Sequence, residues 1–196
     1  VKFAIPLYIG QLFHLAYGLI DTRIIGSLLG ENSLASVCAV TSLCDMLMQF
    51  IIGFINGFGI IIAVCFGEKN MEKLRKAAGN ASSLTLAITL IIVSTCIAFL
   101  SQILNALNVT GDLFRESYDY AFIIILGLFA TAAYNYSATV LRSVGDSVTP
   151  LTFLIISNVI NGMLDYILVK YTNLGVRGAG YATVISEFIS AAECFI

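Results

Sequence analysis

Charge is what this sequence has least of. Asp, Glu, Lys and Arg make up 11% of its residues, against about 25% in soluble domains. So few charges cannot cover a globular surface in water. Basic charge is not in excess either: 10 Lys and Arg face 12 Asp and Glu, a net charge of −2. That excludes the positive field that draws a protein to nucleic acid. The five cysteines (Cys38, Cys44, Cys65, Cys96, Cys194) all lie in apolar stretches, and none forms C-x-x-C. They read as small hydrophobes, not as a disulfide or zinc framework. There is no phosphate loop, nucleophile motif or metal-ligand spacing, so nothing points to a soluble enzyme or a cofactor.

What is present is hydrocarbon. Apolar residues make up 59% of the chain and its mean hydropathy is +0.94. A lipid bilayer solvates such a chain directly. A membrane-crossing helix needs about 20 mostly apolar residues. Six stretches qualify, so the expected fold is an all-α membrane protein, a bundle of six transmembrane helices at about 3–29, 34–66, 77–104, 120–141, 151–169 and 178–196. The second apolar run, between Glu31 and Glu68, would make a helix of about 54 Å. Its ends must protrude, or it bends near Gly53, Gly57 and Gly59.

Polar breaks separate the spans. The expected loops are Gly67 to Lys76, Asn105 to Asp119, Gly145 to Pro150 and a tight turn at Thr172 to Gly175. Lys69, Lys73, Arg75 and Lys76 make the first loop basic. With Lys2 and Arg142 they mark the cytoplasmic side, which puts the N-terminus inside. The chain begins at Val1 and ends in the apolar Cys194-Phe195-Ile196, and reads as cut at both ends. No secretory leader is visible.

Ionisable groups within a span are costly and face a cavity or a partner. The candidates are Asp21, Asp45, Asp165, Glu187 and Glu193. Helical periodicity sorts them. His14, Tyr17 and Asp21 share one stripe of the first helix at i, i+3, i+7. Asn158, Asn161 and Asp165 repeat that spacing on the fifth. Each stripe is a row of polar groups ending in a carboxylate. Two such stripes facing each other would build a polar pocket in an apolar bundle. Carboxylate, amide and hydroxyl oxygens suit a hard cation such as Na⁺; a buried carboxylate alone suits a proton. The plainer readings are an interfacial Asp21, an Asp165 paired with Asn161 or Lys170 for folding, and a satisfied interior His14. Pro6 is a hinge in the first span or simply a helix-start proline.

Four stretches also carry a resemblance. Residues 19–30 read LIDTRIIGSLLG, 53–70 read GFINGFGIIIAVCFGEKN, 141–151 read LRSVGDSVTPL, and 161–186 read NGMLDYILVKYTNLGVRGAGYATVIS. In that order they resemble the N-terminal lobe of the multidrug and toxic compound extrusion (MATE) family. The resemblance implies one six-helix lobe of a twelve-helix transporter, with the C-terminal lobe missing from this chain. It implies an antiporter of the plasma membrane that exports cationic amphipathic drugs in exchange for Na⁺ or H⁺. It places cation coupling at Asp21, Asn161 and Asp165, with Tyr17 and Thr183 nearby and Tyr120 less directly. His14, Asn158, Tyr120 and Glu187 are further candidate cavity residues. His14 departs from the family's usual amide or aliphatic residue, and Glu187 from its usual glutamine.

Three other readings compete. A lipid-linked oligosaccharide flippase of the same superfamily carries a basic cavity, whereas the candidate residues here are acidic and neutral. An inactive half-transporter fragment is the second. The third is an intramembrane aspartyl protease, which the pairs Tyr118-Asp119 and Gly145-Asp146 faintly suggest. The topology puts those two aspartates on opposite sides of the membrane.

Overall fold

The computed structural model describes the backbone of residues 4–109, 111–172 and 174–194. Side chains are described from Gly10 onward, except at positions 11, 13, 14, 16, 17 and 112. Within these residues the chain is six α-helices: α1 (Ala4–Leu29), α2 (Glu31–Gly67), α3 (Met71–Ala106), α4 (Asp112–Ser143), α5 (Val148–Tyr171) and α6 (Val176–Cys194). Helices α2, α3, α4 and α5 are long and apolar enough to cross a membrane. Large apolar side chains such as Leu90, Ile91, Ile60 and Met163 lie exposed on the bundle exterior, as lipid contact requires. The expected class, an all-α membrane protein of six bundled helices, is what the chain forms.

The loops are shorter than the sequence suggests. Met71 to Lys76 is the start of α3, not loop. The Asn70 side chain accepts a hydrogen bond from the Lys73 amide at 3.0 Å, capping the helix. Glu72 and Lys76 then pair at 2.7 Å across one turn. At the other end, α3 runs to Ala106 and α4 begins at Asp112, so most of the stretch from Asn105 to Asp119 is helical. Polarity marked where helices leave hydrocarbon, not where they end. Helix α2 stays helical through Gly53, Gly57 and Gly59.

Between α4 and α5 the chain turns at Gly145, whose φ of 99° favours glycine. Asp146 Oδ1 then accepts from the Val148 and Thr149 amides at 3.1 and 3.0 Å. These bonds cap α5. The Thr149 side-chain and backbone donors hold the Asp146 carboxyl below the usual carboxylate range. Asp119, near the far end of α4, pairs with Arg177 at 2.6 Å. The Asp119–Ser143 stretch of α4 is about 36 Å long, so Asp119 and Asp146 cannot share an active site. The protease reading fails on that geometry.

Helix α4 is the hub. It packs against α2, α3 and α6, while α5 pairs with α6 and α1 lies mainly on α5. Small residues let the backbones approach. A Cβ added at Gly127 of α4 would fall inside the radius of Val184 Cγ2 on α6, whereas one at Gly53 would meet nothing within 4 Å. Gly127→Ala should therefore destabilise the bundle by about 1–3 kcal/mol, a typical overpacking cost. Gly53→Ala should match or exceed wild type, since alanine is the better helix former. Melting of the two purified variants in detergent checks this; equal melting points would mean that α4 and α6 do not approach as described.

Candidate functional site

The buried face of α5 carries Ser157, Asn161, Asp165 and Val169. Asp165 is 0% exposed and Asn161 2%. Among the described residues, neither Asp165 oxygen has a hydrogen-bond partner, and neither does the Asn161 amide oxygen or nitrogen. Helix α1 packs on this helix and brings in Asp21, whose Oδ1 is also buried and has no partner among the described residues. Asp21 and Asp165 lie within range of each other's charge. Buried polar atoms are almost always bonded, because an unmade bond costs roughly 1–3 kcal/mol. A cluster of orphaned oxygens held by two packed helices therefore fits a bound ion. Two carboxylates and an amide can hold a hard cation, and either carboxylate can hold a proton. Among the described residues no group of three His, Cys, Asp or Glu gathers.

Beside this cluster lies a cavity of about 480 Å³, within the range of small-molecule sites. Asn158 and Asn161 line it from α5, and Thr183 and Glu187 from α6. Thr183 Oγ1 donates to the Ala179 carbonyl at 3.2 Å. The Glu187 carboxylate accepts the hydroxyl hydrogen of Thr131 on α4. Asp21, Asp165 and Tyr120 do not line the cavity. Tyr120 is buried within α4. The side chains of Pro6, His14 and Tyr17, singled out on the first helix, lie outside the described residues.

Sequence reading missed the contribution of α4 and α2. Thr131, Tyr134 and Asn135 form one wall of the cavity and Gln49 and Asn56 its α2 side. The signal was available: these are polar residues at i, i+3, i+4 on an uncharged span, and at i, i+7 on an apolar one. The expectation that the cavity residues are acidic and neutral is corrected by one basic side chain. Arg142 reaches its α4–α5 end, because it sits in the last turn of α4 and folds back to donate to Thr139 Oγ1 at 3.2 Å. Asp45 is exposed on α2.

The family model described as MatE matches residues 6–167. The chain belongs to the MATE family. Among MATE relatives, the probable multidrug resistance protein YoeA of Bacillus subtilis is 30% identical over 94% of this chain. The probable multidrug resistance protein YpnP of the same organism is 27% identical over 97%. This MATE chain spans only 41% and 43% of their lengths. A crystal structure of MATE in the bent conformation superposes with a TM-score of 0.92 at 24% identity, covering 99% of this chain and 43% of that one. That likeness concerns the fold. With the family in hand, the chain is a multi-pass membrane protein of a transporter family.

Proposed function

We propose that this chain is the N-terminal lobe of a secondary transporter that exports cationic amphipathic compounds in exchange for Na⁺ or H⁺. The observation that carries the reading is the Asp21–Asp165 pair, with its buried oxygens unpartnered among the described residues, beside a cavity lined by the Glu187 carboxylate. The names of its multidrug-resistance relatives support the substrate class. A second six-helix lobe would complete the cleft, since alternating access rocks one lobe against the other. The basic residues near the α2–α3 link support a cytoplasmic N-terminus in the plasma membrane.

In this reading a cation entering from outside binds between Asp21, Asn161 and Asp165. It neutralises charge buried between α1 and α5. Helix α1 then repacks against α5, bending near Pro6, and the cavity loses its hold on the exported compound. The test is ethidium efflux from energised cells expressing the protein at native length, with Na⁺ and pH gradients imposed separately. Efflux that follows one gradient is the expected result and names the ion. Well-inserted protein that moves no ethidium under either gradient would sink the reading.

A further inference from the structure

Glu187 stands apart from the Asp21–Asp165 pair. Helices α5 and α6 are registered by two bonds: Ser157 Oγ donates to the Ser186 carbonyl at 2.7 Å, and Ser190 Oγ to the Phe153 carbonyl at 3.4 Å. Glu187 is therefore level with Ser157, near the middle of α5, which runs from Val148 to Tyr171. Asp165 lies two turns further along, about 12 Å. Among the described residues no Lys or Arg reaches Glu187 at ion-pair distance. Arg142 is not its counter-ion: it bonds Thr139, and it sits about 16 Å along α4 from Thr131, the partner of Glu187.

A carboxylate deep in a membrane bundle with no cation beside it is expensive. Its surroundings fit a missing cation of a particular kind. Tyr134 presents an aromatic ring to the same cavity, fixed by its hydroxyl donating to the Pro150 carbonyl at 3.1 Å. Aromatic faces attract organic cations. Leu151 and Leu154 add an apolar wall from α5. Carboxylate, ring and hydrocarbon together complement a molecule with one positive centre and a greasy body.

Resting on the export reading, we propose that Glu187 holds the positive centre of the exported compound, so that substrate and coupling ion occupy separate carboxylates. Glutamine keeps the acceptor that Thr131 needs and removes only the charge. Purified native-length protein in detergent, titrated with ethidium at fixed Na⁺ and pH, should show Glu187→Gln weakening the Kd roughly tenfold or more, the scale of one lost charge-assisted contact. Asp45→Asn, at an exposed carboxylate of α2, should leave that Kd within about threefold. A measurement needing no variant backs this: ethidium should slow carbodiimide labelling of Glu187 in the wild-type protein, read by mass spectrometry of its peptide. Unchanged binding by Glu187→Gln, an equal loss in Asp45→Asn, or labelling that ethidium does not slow would overturn this assignment and leave the export reading standing. Wild-type protein that binds no ethidium removes both.

Discussion

Asp165→Asn is expected to abolish gradient-driven ethidium efflux, by a hundredfold or more, in protein that inserts and folds as wild type does. The substitution is nearly isosteric, so α5 still packs. It keeps one oxygen and adds an amide N–H₂ next to Asn161, whose own amide atoms are buried and without a partner among the described residues. What it removes is the charge and the proton-accepting oxygen. A Na⁺ at this position would lose one of two carboxylates; a proton would lose its acceptor. Either way the ion has no differential affinity for the two states of the transporter, and a ligand without that difference shifts no equilibrium. Downhill leakage of ethidium should survive, because the cavity residues on α4 and α6 are untouched. Efflux of energised cells beside facilitated uptake by de-energised cells separates the two. If the variant still concentrates its efflux on one gradient, coupling resides elsewhere, and Asp165 is a folding residue.

How much of this was legible beforehand depended on the kind of signal. Of the i, i+3, i+7 stripe, Asn161 and Asp165 lie on the buried face of α5 and Asn158 lines the cavity beside it, because helical periodicity is local and needs no knowledge of neighbours. That α1 would supply Asp21 to the same spot is a tertiary fact; here the sequence offered only a matching stripe. Helix ends were misplaced for a physical reason. Hydropathy reports where a helix leaves lipid, while Asn70, Gly111 and Asp146 decide where it starts. The wall built by Thr131, Tyr134 and Asn135 was overlooked because uncharged polar residues cost little in a helix and stand out only once a cavity is seen beside them. Glu187 was noted as a departure from a family pattern, but its hydrogen bond to Thr131 joins helices 56 positions apart and no spacing rule could reach it. The central place of α4 was equally invisible: its freedom from charge between Tyr120 and Leu141 looked like a lipid-facing span, yet it is the most enclosed of the four long apolar helices.

The same orphaned atoms that suit an ion should make the bundle less stable than it could be. Asp165→Leu is expected to melt several degrees above wild type in detergent, while transporting nothing. A buried carboxyl with neither oxygen bonded pays its desolvation cost without return, in either protonation state. Leucine keeps the same branched skeleton, with bulkier methyl groups in place of the oxygens, and exchanges that cost for apolar contact. Replacing buried charged groups by well-packed hydrophobes stabilises other proteins by about 1–4 kcal/mol. At this chain length each kcal/mol corresponds to roughly 2–4 °C. Removing Asp165 also relieves the like charge that Asp21 imposes on it. The rise should shrink when the wild-type protein is given the coupling ion, because ligand binding stabilises the state that binds it. Added Na⁺, or added protons, should therefore raise the wild-type melting point and leave that of Asp165→Leu unmoved. A variant that melts below wild type at every Na⁺ concentration and pH would mean that the carboxylate holds α1 to α5 through bonds of its own. The site would then be a structural clasp, and the gain of stability without function is the signature that tells the two apart.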